Sequence, residues 1–109
     1  PYDLLLARTD PQLVKLEMDI YWIVKGGGKP LEYFEKYPGR YHLLHVKDMD
    51  STPQHYFTEV GRGMIDFKAI FANAGRAGVR HYFVEQDETP GSPFDSLKIS
   101  MDYLRRLEF

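Results

Sequence analysis

Between Val14 and Ile20 the chain alternates, with Val14, Leu16 and Met18 set against Lys15, Glu17 and Asp19. A period of two predicts a strand with one buried face. Tyr41 to Val46 reads as a second strand, an apolar segment entered through the turn residues Pro38-Gly39-Arg40. His81 to Glu85 reads as a third. Between the strands the period changes. Pro30 suits the first turn of a short helix reaching Tyr37, with Leu31 and Phe34 on one apolar face. Asp66 can cap a helix in which Ile70, Phe71, Ala74 and Ala77 recur at helical steps, and Gly78 ends it. Asp95 can cap a last helix whose stripe is Leu97, Met101, Leu104 and Leu107. Tyr2 to Ala7 reads as the end of a helix closed by Thr9-Asp10-Pro11, Gly26-Gly27-Gly28 breaks the chain, and Met49 to Thr58 and Thr89 to Pro93 read as loops. Strand and helix therefore alternate, which predicts an α/β fold with parallel strands and helices packed on the sheet.

Composition narrows the function classes. A net charge of -2 leaves no basic footprint for nucleic acid and no polybasic membrane patch. No apolar run approaches the length of a membrane span. Without cysteine there are no disulfides and no thiolate metal sites, so His, Asp and Glu are the remaining metal ligands. A reducing, cytoplasmic setting fits that composition. Pro1 opens the chain on a helix already under way, so a fragment of a longer protein is expected.

The strand ends carry the candidate chemistry. In parallel α/β folds, ligands bind beyond the carboxyl ends of the strands. Here those ends carry Asp19, His45 and Glu85. Taken singly, Asp19 is a turn residue and His45 a core histidine, but an unpaired carboxylate behind Phe83 and Val84 is costly to bury. Together they form an O, N, O donor set suited to a divalent ion such as Mn, Co, Zn or Mg. Lys47, two residues beyond His45, shares its face and can contact a substrate oxygen or phosphate or lie solvated at the surface, whereas Asp48 can cap the loop. Trp22 can stack on the apolar face of a ligand or pack in the core. Arg62, within Gly61-Arg62-Gly63, can hold an anionic substrate group or lie on the surface. Asp87 can support the site from outside.

The ordered segments "LEMDIYW", "LLHVKDMD", "EVGRGMIDF" and "FVEQD" resemble the C-terminal part of the sugar phosphate isomerase/epimerase superfamily, the xylose isomerase-like TIM barrels. The resemblance covers nearly the whole chain, so residues 1–109 are expected to be one partial domain, about the last three βα units of a (β/α)8 barrel. It implies one divalent ion held by Glu, Asp, His and Glu on the last four strands, with Asp19, His45 and Glu85 as the second to fourth. The first glutamate would precede Pro1, and neither Glu17 nor Glu59 stands in its place.

The implied chemistry is proton transfer at a carbon beside a carbonyl of a sugar or polyol, by an isomerase, epimerase or dehydratase, with Glu85 as one of the two proton-transfer carboxylates. The chain by itself is then catalytically incomplete. One departure stands out: Trp22 occupies a position where the ketose epimerases carry a histidine. The alternatives are a non-catalytic module of the same fold and a phosphodiesterase resembling endonuclease IV, for which the chain is neither basic nor rich enough in ligands. Three strands leave open edges, so self-association or pairing with a missing N-terminal barrel half is expected.

Overall fold

A computed structural model describes residues 1–109. Helix α1 (Tyr2–Arg8) leads through a turn into strand β1 (Leu16–Asp19), followed directly by α2 (Ile20–Lys25) and then α3 (Pro30–Lys36). Strand β2 (Tyr41–Val46) comes next, then the short strands β3 (Asp48–Met49) and β4 (Phe57–Thr58). Helices α4 (Phe67–Ala72) and α5 (Ala74–Ala77), strand β5 (His81–Val84) and the long α6 (Pro93–Arg106) complete the chain. The main sheet has the order β1-β2-β5, all parallel, with Asp19 level with His45 and His45 level with Phe83. The expected parallel strands alternating with helices are therefore present.

One face of the sheet makes the core. Met18, Leu44 and Val46 point there and are fully buried with Ile20, Phe34, Phe67, Ile70 and Ala77. Burying each such side chain is worth about 1.5–3 kcal/mol. By the strand alternation, Glu17, Asp19, His45, Lys47, Phe83 and Glu85 fall on the opposite face. The period of two thus sends the apolar set to the helices and the polar set to a common surface.

Four expectations need correction. The first strand ends at Asp19 rather than Ile20, because the Asp19 carboxylate accepts the Trp22 N–H at 3.0 Å and starts α2 there. The loop from Met49 to Thr58 contains a small antiparallel hairpin, with Met49 paired to Phe57 and buried. Helix α6 starts at Pro93, with Ser92 rather than Asp95 at its N-cap position, and the residues it buries are Ser96 and Ser100, while Leu97 remains exposed. In α3, Phe34 is buried but Leu31 is exposed, so Pro30 joins Phe34 on the packed face.

Asp48 anchors the connection that follows β2. It is fully buried and its carboxylate accepts four backbone N–H groups, from Met49 (2.8 Å), Gly61 (3.0 Å), Gly63 (3.1 Å) and Ile65 (3.1 Å). Gly63 is required by that approach, since a Cβ would overlap the Asp48 carboxylate and the Met49 carbonyl. Gly61 has φ +91° and lies flat against the Tyr103 ring, so both glycines serve close packing.

Candidate metal and substrate site

The sheet brings Asp19, His45 and Glu85 together. One ligand atom from each lies within 4.8 Å of the other two. His45 Nδ1 is 3.4 Å from Asp19 Oδ2 and 3.2 Å from Glu85 Oε2. Each side chain is aimed by its backbone. Asp19 spends Oδ1 on the N-cap bond to Trp22, which turns Oδ2 toward His45. Being a turn residue and facing the site are therefore the same placement. His45 sits on the central strand, with the Phe83 ring edge-on to its imidazole at 6.2 Å between centroids. Glu85 follows β5 directly, and its N–H bonds the Val46 carbonyl at 3.1 Å, extending the ladder by one residue.

Lys47 enters the same cluster. Its side chain is 4% exposed, and its Nζ lies 3.0 Å from Asp19 Oδ2, 3.1 Å from Glu85 Oε2 and 2.9 Å from Asp87 Oδ1. Burial works against the ammonium, but hydrogen bonds to Asp87, Asp19 and Glu85 outweigh it and hold the Lys47 pKa above its ordinary value. Lys47 is thus a fixed cation touching the two carboxylate oxygens that face His45 Nδ1. Asp87, expected as an outer support, holds the far side of that ammonium.

Around the cluster the surfaces differ. Trp22, half exposed, packs edge-on against Tyr21 and Phe57, so the β3–β4 hairpin supplies part of an aromatic wall one helical turn beyond Asp19. Lys25 lies 5.7 Å from the Trp22 ring centre. A hollow of about 350 Å³, lined by Glu85, Asp87, Thr89, Pro93 and Leu97 among others, opens beside the cluster. Arg62 is not drawn in. It is largely exposed, with Glu59 as its charged partner at 3.9 Å, and it lines a separate hollow with Asp102 and Tyr103.

One contact went unread in the sequence: Glu17 Oε1 is 3.0 Å from His45 Nε2, on the ring nitrogen remote from Asp19 and Glu85. The alternation that places Asp19 on the polar face places Glu17 there too, so the signal was present.

The donor set fits a divalent ion. Two carboxylates and one imidazole, hard and borderline donors on neighbouring strands, are a combination that Mn, Zn or Co accepts. The one competing group is the Lys47 ammonium on the same oxygens.

No protein-family profile matches the chain. Two crystal structures of sugar phosphate isomerase/epimerases from Parabacteroides distasonis superpose with a TM-score of 0.77 each, at 39% and 36% identity, over 96% and 95% of this chain. The chain is similar in sequence and in fold to the sugar phosphate isomerase/epimerase superfamily. It covers 36% and 35% of those two chains, close to the share that three units take of an eight-unit barrel. Inosose dehydratases from Lacticaseibacillus casei and Geobacillus kaustophilus are 31% and 29% identical over 94% and 96% of this chain. The chain spans 41% and 40% of their lengths. The similarity to these sugar-acting enzymes thus holds in both sequence and fold. No helix of the chain is long and apolar enough to cross a membrane.

Proposed function

We propose that this chain carries the greater part of the metal site of a divalent-metal-dependent isomerase, epimerase or dehydratase acting on a sugar or polyol. One observation carries the reading: Asp19, His45 and Glu85 offer an O, N, O set whose atoms lie within 4.8 Å of one another, at the carboxyl ends of three adjacent parallel strands. When bound, the ion supplies Lewis-acid polarisation of a substrate carbonyl. The chain's own residues do the rest. Glu85, ligand and base, takes the proton from the carbon beside that carbonyl through a carboxylate oxygen. Lys47 gives a buried cation to a substrate oxygen and stays tethered by Asp87. Trp22 offers an apolar face for the sugar ring. Arg62 is the remaining candidate, for an anionic substrate group at the outer rim.

Residues 1–109 act, on this reading, as one partial barrel domain completed by further βα units, or by a second copy of the chain, along the open edges of β1 and β5. Tyr82 and Phe83 on β5 are 44% and 48% exposed, which is unusual for strand aromatics and supports a covering partner. Absence of cysteine supports a cytoplasmic setting.

Elemental analysis of the purified chain after growth with Mn, Co and Zn tests the proposal. Near-stoichiometric divalent metal, lost in Glu85→Gln, is the expected result. A metal-free chain that also takes up none of these ions on titration overturns it.

A further inference from the structure

We propose that Glu17 is a positioning residue for His45: its carboxylate accepts the imidazole Nε2–H and so presents Nδ1, unprotonated, to a divalent ion between Asp19 and Glu85. The inference rests on the metal-site reading above and adds a residue that reading does not use.

The geometry distinguishes the two ring nitrogens. Nδ1 lies 3.4 and 3.2 Å from Asp19 Oδ2 and Glu85 Oε2, whereas Glu17 Oε1 is the carboxylate oxygen beside Nε2, at 3.0 Å. That oxygen lies off the line of the ring N–H, so that a turn of the Glu17 side chain is needed to close the hydrogen bond. A neutral imidazole carries one proton, and a metal takes the nitrogen without it. With the proton on Nε2 and given to Glu17, the free lone pair points between the other two carboxylates. An acceptor on the remote nitrogen fixes the tautomer and ring plane and raises the basicity of the coordinating nitrogen.

The sequence supplies that acceptor through strand register. Glu17 precedes Asp19 by two residues on β1, and parallel pairing sets Glu17 level with Leu43 and Asp19 level with His45. One strand thus brings one carboxylate to each side of the ring. Glu17 makes no other ion pair or side-chain hydrogen bond, so the His45 contact is its one polar engagement. Glu17 also stands outside the three-ligand group, which separates it from a direct ligand.

The test is zinc binding by calorimetry on the full chain, with Glu17→Ala and Glu17→Gln, alongside the His45 imidazole N–H resonance of the 15N-labelled, zinc-loaded protein. The expected result is a zinc dissociation constant raised about 10–100-fold in E17A. E17Q, which keeps an acceptor oxygen without the charge, should fall between E17A and the unaltered chain. The Nε2–H resonance should be protected from solvent exchange in the unaltered chain and lose that protection in E17A. If E17A does not fold, E17Q and the resonance of the unaltered chain still decide the matter. Zinc bound equally well by the unaltered chain and both variants overturns this inference alone. E17Q losing zinc as fully as Glu85→Gln makes Glu17 a ligand and overturns a positioning role. No zinc in the unaltered chain overturns the metal-site reading, and this inference with it.

Discussion

Lys47→Met probes the most demanding feature of the site, a buried ammonium on the oxygens a metal ion would use. Methionine keeps most of the apolar stem and removes the charge. In the unaltered chain the Lys47 Nζ stands 3.0 and 3.1 Å from Asp19 Oδ2 and Glu85 Oε2. An ion bonded to those oxygens at about 2.1 Å would lie roughly 4–5 Å from the ammonium. For a divalent ion and one ammonium at an effective dielectric of ~20, that separation corresponds to about 7–8 kcal/mol of repulsion. Asp19 and Glu85 are 22% and 40% exposed, so water and salt screen much of this, and about 1–2 kcal/mol is the working figure. Removing the ammonium should therefore tighten divalent metal binding by about tenfold at low ionic strength, and by less at high salt. The same change leaves three carboxylates facing one another without a cation. The metal-free variant should melt several degrees lower in EDTA, where about 1 kcal/mol corresponds to roughly 4–8 °C for a small domain. Zinc or manganese titration at two salt concentrations, with melting curves in EDTA, reads both effects. A variant that binds metal no more tightly than the unaltered chain refutes the argument, because Lys47 and the ion would then not compete for Asp19 and Glu85.

Asp48→Asn should cost about 2–3 kcal/mol in urea unfolding. The amide NH₂ replaces an oxygen that accepts two backbone N–H groups, leaving two partly buried donors unpaired at about 1–3 kcal/mol each, while relief of the buried charge returns part of the loss. That charge is a real burden: burial raises the Asp48 pKa even though four N–H bonds pull it down. An unchanged urea midpoint would contradict this. Ser96→Ala removes the 2.8 Å hydrogen bond to the buried Glu59 carboxylate and should cost about 1–2 kcal/mol near neutral pH. Burial pushes Glu59 up, but the bonds from Ser96 and Thr58 outweigh it and leave its pKa below the usual value. A depressed folded-state pKa contributes stability that is present above the unfolded-state pKa and lost as pH falls through the folded one, so the gap between Ser96→Ala and the unaltered chain should shrink on acidification. Denaturation at stepped pH checks this, and a gap independent of pH would refute it.

How much of this was legible depended on how local the determining physics is. Tyr41 to Val46 was read with the observed bounds because turn residues open it and an apolar segment fills it. Asp66 and Gly78 were read correctly because a cap and a left-handed stop are one-residue signals; Asp66 accepts the Ala69 N–H, and Gly78 takes φ +88°. Helix α2 was missed because Ile20, Tyr21 and Trp22 have strand-like side chains, and only the folded-back Asp19 carboxylate turns them into a helix. The β3–β4 hairpin was missed because its strands are two residues each, too short to show a period. The α6 face was read correctly at Leu104 and Leu107, which pack against the core, and one step off at its start, where Ser96 and Ser100 are buried and Leu97 is not. Hydroxyls bonded to Glu59 and to the Val60 N–H pack where a hydropathy pattern expects leucine.

The candidate site shows the same division. Asp19, His45 and Glu85 were legible because strand ends in a parallel sheet converge whatever the loops do. Lys47 and Asp87 followed from the same alternation, but their partnership did not, since it depends on how far β5 extends past Val84. The cluster needs two strand pairings, β1 with β2 and β2 with β5, and both lie within this chain. The long-range order that brings the three candidate ligands together thus rests on strands within this chain. Metal binding and turnover become separable properties: the first should persist in this chain alone, and the second should require whatever covers the exposed face of Phe83 and the open edge of β5.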